Sequence, residues 1–214
     1  MDETIFHAIN EQWTHPALDL FMAVISRADI WTPFFVVTAI ALLIFGGFRA
    51  RAFVFCTALV LGLSNLVVDP LKDTVGRPRP KQTQRVRMIE LQKTKPMLLT
   101  IFKKPRIRTS TELEKSRAGA SFPSGHTNNN TVIALCCTIF YRRRGALYWI
   151  ITAAVVYSRI YLGAHWPSDV VATIFLAAGE TLLILGACEL AWEKWISPRL
   201  PQLAARYPRL IPTS

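Results

Sequence analysis

Charge is segregated along this sequence. Pro33 to Phe48, Phe53 to Val68, Thr131 to Phe140 and Ala146 to Val156 contain no charged residue, and Val170 to Ala187 contains only Glu180. Between these runs, short segments are crowded with Lys and Arg: Arg49 and Arg51, then Arg142 to Arg144, then the long stretch from Lys72 to about Ser121. A helix that must face water interleaves the two kinds of residue; one that faces lipid does not. Crossing the hydrocarbon takes roughly 20 apolar residues. The run from Thr131 can extend back toward His126 and the run from Ala146 forward to Leu162, which brings both near that length. The pattern predicts an all-α, polytopic transmembrane helical bundle of five to six spans with tight basic turns, folded as a single domain over residues 1–214. The sixth span would come from Ala17 to Ile25, which is apolar but short enough for a partial or tilted crossing. Thr4 to Trp13, with Ile5, Phe6, Ile9 and Trp13 at helical spacing, reads as an interfacial helix.

Residues 81–120 read as a basic extramembrane loop, with a small apolar island at Met97 to Phe102 that suits either a membrane surface or a solvated loop. Residues 196–214 read as a polar tail outside the bilayer. The formal charge of +11 coexists with a positive mean hydropathy of +0.29. Lys and Arg at membrane boundaries account for it, because they meet anionic headgroups and set orientation. No nucleic-acid-binding module accompanies the charge, so a nucleic-acid partner is not expected. Cys56, Cys136, Cys137 and Cys188 lie in apolar runs without zinc-ligand spacing. The acidic, Lys- and Arg-free start, Met1 to Glu11, has the wrong flank for a cleaved signal peptide.

Three polar clusters sit at the ends of apolar runs. In Lys72-Asp-Thr-Val-Gly-Arg-Pro-Arg79-Pro80, Lys72 and Arg79 suit either membrane anchoring or convergence on a phosphate, Arg as a planar fork of donors and Lys as a point charge. In Ser121-Phe-Pro-Ser124-Gly125-His126-Thr127, Ser and Gly at a helix start suit ordinary capping or an anion held by free N–H groups, with His126 beside it. In Ser158-Arg159-Ile-Tyr-Leu-Gly-Ala-His165-Trp-Pro-Ser-Asp169, Pro167 and Ser168 open a new helix with Asp169 in its first turn. His165 lies close enough for its ring N–H to reach the Asp169 carboxylate, which would fix the tautomer and leave the other nitrogen as base or nucleophile. Arg159 can hold phosphate oxygens. Counting crossings places all three clusters on one membrane face.

Quoted together and in order, these residues resemble the type 2 phosphatidic acid phosphatase superfamily, whose pattern is Lys, six residues, Arg-Pro; Pro-Ser-Gly-His; then Ser-Arg, five residues, His, three residues, Asp. The resemblance implies that His165 attacks phosphorus and carries a phosphohistidine, that Asp169 orients it, and that His126 protonates the departing oxygen. Lys72, Arg79, Ser124, Gly125 and Arg159 would bind the phosphate, with no metal and no cofactor. The expected activity is hydrolysis of a phosphate monoester or diphosphate on a membrane lipid: undecaprenyl diphosphate, phosphatidate, phosphatidylglycerol phosphate or lipid A. The basic segment from Lys81 to Arg117 would suit a highly anionic headgroup. A lipid phosphotransferase, or a non-catalytic lipid-binding or transport protein, could use the same scaffold. The expected location is a bacterial inner membrane, multi-pass, with the site facing the periplasm or exterior.

Overall fold

The computed structural model describes residues 1–91, 100–101, 103–110 and 119–212. Helices dominate: α1 (Asp2–His7), α2 (Pro16–Ile25), α3 (Ala28–Phe45), α4 (Phe48–Val75), α5 (Pro80–Thr83), α6 (Gly125–Ala146), α7 (Tyr148–Tyr161), α8 (Pro167–Ala191) and α9 (Pro201–Arg206). The five expected spans are all present as α3, α4, α6, α7 and α8, forming a polytopic helical bundle. Among the described residues, three stretches are long and apolar enough to cross a membrane on their own: Ala28–Phe45, Phe48–Thr83 and Pro167–Arg199. α3 is nearly bare of protein neighbours, with only Ile30 buried, as suits an all-round apolar helix at the lipid-facing rim.

α6 is the most polar of the five and lies in the middle, packed against α4, α7 and α8. Its Thr127, Asn128 and Thr131 are buried, together with Val132, Ala134, Cys136 and Phe140. Where α4, α6 and α8 meet, Ser64 Oγ binds Glu180 at 2.5 Å, and the Asn128 amide donates to Ser64 at 2.8 Å. Interhelical hydrogen bonds of this kind help to hold polar groups inside a helical bundle. A second core cluster of Cys56, Val60, Val132, Phe140 and Leu185 holds the same helices together further along the bundle.

At the site end, Phe6 and Ile9 are buried against Trp166, while Ile5 and Trp13 are exposed. The four residues expected to share one face therefore split. The hydrogen-bonding pattern widens to π over Ala8–Gln12, with the Trp13 N–H donating to the Ala8 carbonyl at 2.9 Å, and this turns Trp13 away.

The basic stretch after α5, expected as loop, contains two short antiparallel strands, β1 (Arg87–Glu90) and β2 (Arg106–Thr109). Four residues each give too little alternation to read from sequence. Buried Asn10 secures β1, accepting from the Arg87 N–H at 3.1 Å and donating to the carbonyls of Arg87 and Tyr161 at 3.0 and 2.8 Å. The apolar island at Met97 to Phe102 lies largely outside the described residues. The end of the chain folds back: Tyr207 stacks on Phe48 with centroids 4.2 Å apart, and the Ile211 N–H donates to Glu189 at 2.8 Å.

Candidate active site

The C-terminal end of α4, the start of α6, the end of α7 and the start of α8 come to one end of the bundle, and each delivers one part of the three clusters. Lys72 lies in the last turn of α4, where Asp69 holds its Nζ at 2.8 Å. Gly76, at φ +58°, ends that helix in the left-handed conformation, its N–H donating to the Lys72 carbonyl at 2.9 Å. The chain then turns through Arg77 to Pro80 across the faces of the other two clusters. The Arg77 carbonyl accepts from the Ser121 N–H at 2.7 Å, and the Pro78 carbonyl from Trp166 Nε1 at 2.9 Å. Arg79 donates from Nε to the Gly119 carbonyl at 2.8 Å and approaches the carbonyl of Ala164, the residue before His165, at 3.5 Å.

Ser124 caps α6. Its hydroxyl accepts from the Thr127 N–H at 3.4 Å, and its own N–H donates to Thr173 of α8 at 3.0 Å, so the start of α6 is pinned to α8. A methyl group on Gly125 would lie 3.9 Å from Lys72 Nζ, which places the ammonium beside the helix start. Cation and helix dipole therefore act on the same small volume. His126, on the next position, lines a cleft of about 610 Å³ together with Ser26, Arg27 and Arg159. Arg159 reaches from the last turn of α7 to the Ser26 hydroxyl through NH1. Among the described residues its Nε–H is buried without a hydrogen-bond partner, a donor left available to a ligand.

α7 ends in a tight reversal. Gly163 takes φ +71°, and the N–H groups of Ala164 and His165 both donate to the Arg159 carbonyl, at 3.0 and 3.2 Å. That reversal turns His165 inward, where it is only 3% exposed. Its Nδ1 lies 2.5 Å from the Ser121 carbonyl oxygen. A carbonyl only accepts, so Nδ1 carries the proton and the lone pair sits on Nε2. Burial pushes the ring's pKa well below the usual histidine value, the Arg159 and Arg79 charges push the same way, and the Ser121 carbonyl resists. The ring is neutral at physiological pH.

Asp169 lies in the first turn of α8, as its spacing predicts, but its carboxylate does not meet the His165 ring. The expected bond from its carboxylate to the His165 ring is absent, and Ser121 stands between them. Asp169 turns back on its own helix start, where Oδ2 accepts from the Trp166 N–H at 3.0 Å and from the Ser121 hydroxyl, and Oδ1 from Arg77 at 2.6 Å. Capping is satisfied within three residues of chain, so it takes the carboxylate before the ring can. Asp169 thus anchors Ser121, and Ser121 touches the histidine.

The structure brings His165, His126, Arg79, Arg159, Ser124, Gly125 and Lys72 to this one end. It adds Ser121, Arg77, Ser26 and Asp2, which sequence reasoning did not single out. Ser121 and Arg77 lie inside the recognised clusters, but nothing local separates them from their neighbours; Ser26 and Asp2 carry no local signal. Among the described residues, no three His, Cys, Asp or Glu side chains group closely enough to hold a metal ion.

Comparison with known proteins fits this geometry. No curated protein matches the sequence. The structure resembles the crystal structure of Aquifex aeolicus LpxE, with a TM-score of 0.62 and 23% identity, covering 86% of this chain and 94% of that one. It also resembles a transmembrane PAP2-type phosphatidylglycerolphosphate phosphatase from Bacillus subtilis, with a TM-score of 0.58 and 22% identity, covering 86% of this chain and 83% of that one. At such identities the likeness establishes the fold. The family follows from the sequence itself: residues 53–189, which contain all three clusters, match the PAP2 superfamily, and the chain belongs to it.

Proposed function

We propose that this protein is a lipid phosphatase that works through a phosphohistidine on His165. The observation that carries the reading is the Ser121 carbonyl on Nδ1 of His165, which leaves a neutral Nε2 lone pair beside Arg79 and Arg159. In the first step Nε2 attacks phosphorus, the P–O bond to the lipid breaks, and His126 gives its proton to the departing oxygen. In the second, His126 takes a proton from a water that attacks the phosphorus, the Nε2–P bond breaks, and inorganic phosphate leaves with His165 free again. Arg79, Arg159, Lys72 and the start of α6 at Ser124 and Gly125 neutralise the charge on the transferring group. Asp169 positions Ser121.

A lipid substrate is favoured by where the site lies: at the end of helices built to stand in a bilayer, beside a cleft whose lining mixes Ala23, Ile89 and Leu162 with Ser26, Arg27 and Arg159. Candidate headgroups are phosphatidate, phosphatidylglycerol phosphate, undecaprenyl diphosphate and lipid A, in a bacterial inner membrane with the site toward the periplasm. The test is phosphate release from each of these lipids by detergent-purified protein, with His165→Ala in parallel and EDTA present. Release that disappears in the variant supports the reading, and the best substrate names the headgroup. Failure of a folded wild type on every lipid, with or without added divalent cations, would sink it in favour of a phosphotransferase or a non-catalytic relative.

A further inference from the structure

Ser121, the residue whose carbonyl fixes the His165 tautomer, is held at all three of its polar atoms. Its N–H donates to the Arg77 carbonyl at 2.7 Å, its hydroxyl to Asp169, and its carbonyl faces His165 Nδ1. Two of those holds lead back to Arg77, because the Arg77 guanidinium also clamps Asp169 Oδ1 at 2.6 Å. Asp169 is fully buried, and Arg77 is its cation. Arg77 in turn is held from outside by Asp2 in α1. Asp2 Oδ2 accepts from Arg77 NH2 at 2.7 Å and from the Ser168 hydroxyl at 2.6 Å, and Oδ1 accepts from the Ser168 N–H at 2.9 Å. Burial works against the Asp2 carboxylate, yet the bonds from Ser168 and Arg77 hold its pKa below the ordinary value, so it is ionised at neutral pH.

The three site arginines differ in their partners. Among the described residues, Arg79 and Arg159 bond only carbonyl and hydroxyl oxygens, which leaves their charge for a phosphate. Arg77 is engaged by two carboxylates, one on each terminal nitrogen, and lies over the Trp166 ring at 5.9 Å. A guanidinium so neutralised has little charge left to offer substrate and a fixed geometry to impose on its partners.

We propose that Arg77 and Asp2 are positioning residues for His165, acting through Asp169 and Ser121, so that the N-terminal helix α1 belongs to the catalytic apparatus. This rests on the reading of His165 as the nucleophile. Removing Arg77 leaves Asp169 as a buried charge without its cation and frees one end of the clamp on Ser121. The carbonyl then no longer selects one ring tautomer, and a proton on Nε2 blocks attack. Asp2 acts one bond further out and has the smaller effect.

The test uses the full chain with ring-¹⁵N histidine. His7, His15, His126 and His165 are the four signals, and His165→Ala assigns the one that matters. In the wild type, the His165 signal shows Nδ1 protonated and Nε2 bare; in Arg77→Gln and Asp2→Asn it shows a mixture. On a releasing lipid, kcat falls on the order of 10²-fold in Arg77→Gln, less than the loss when a directly bonded orienting partner is removed. In Asp2→Asn it falls severalfold, KM is unchanged in both, and Arg77→Lys recovers part of the rate. A single Nδ1-protonated tautomer retained in the variants overturns the proposal. So does a raised KM at constant kcat, since Arg77 would then bind substrate; it borders a second cleft of about 330 Å³. If Arg77→Gln does not fold, Asp2→Asn decides alone. Should the wild type release no phosphate, the phosphatase reading fails, and the tautomer measurement still decides the positioning role.

Discussion

Replacing Gly163 with alanine tests how His165 is aimed. Gly163 stands two residues before the histidine, at φ +71°, in the reversal that follows α7. An L-residue held there costs roughly 1–2 kcal/mol. The added methyl would also lie 3.2 Å from both the Arg87 carbonyl oxygen and Val86 Cγ2, tighter than an ordinary contact. Pushing β1 back by a few tenths of an ångström adds about 1 kcal/mol, the low end of overpacking costs. The sum, about 2–3 kcal/mol, corresponds to a loss of roughly 4–12 °C in Tm for a domain of this size. The control is Gly62→Ala on α4, where a methyl meets nothing within 4 Å. There the change is neutral or stabilising by up to about 1 kcal/mol, because alanine is the better helix former. Thermal unfolding of both variants in one detergent, followed by tryptophan fluorescence, measures the difference. Phosphate release from Gly163→Ala should fall as well, since the strain is relieved by moving the segment that carries His165. Equal Tm values for the two variants, or wild-type stability and rate in Gly163→Ala, would refute the reasoning.

His126→Ala should slow release from an alkyl phosphate by about 10²–10⁴-fold and from p-nitrophenyl phosphate far less, because nitrophenolate departs without a proton; equal losses on the two substrates would remove His126 from the acid role. The burial of neutral His165 also predicts a pH dependence of stability. Its folded pKa lies below the ordinary value near 6.5, so below that pH the unfolded chain binds a proton that the native ring refuses. Its contribution is complete above about pH 6.5 and declines as the pH falls toward the folded pKa, and the Tm-versus-pH curve of wild type should drop more steeply there than that of His165→Gln. Ser64→Ala should lower stability by about 1–2 kcal/mol by breaking the bonds among α4, α6 and α8; an unchanged Tm would mean that this polar layer does not hold the helices.

The helices and the family were legible along the chain because both are written locally. Apolar runs such as Pro33 to Phe48 have only one stable environment, and the clusters around Lys72, His126 and His165 lie at run boundaries, where alternation of crossings brings them to one side. The two strands were not legible, since four-residue segments of mixed polarity gain their order from Asn10, which lies 77 residues from Arg87 in sequence. Spacing also misplaced the partner of His165. A separation of four residues brings Asp169 within reach of the ring, but it cannot reveal the competing claims of the Trp166 N–H, the Ser121 hydroxyl and Arg77 on one carboxylate. Composition and periodicity fix which segments leave water, because that free energy is nearly additive along the chain. Which donor meets which acceptor at the site is decided only when four helix ends and the N-terminal helix are packed together, because hydrogen bonds are short-ranged and each oxygen has few places to give.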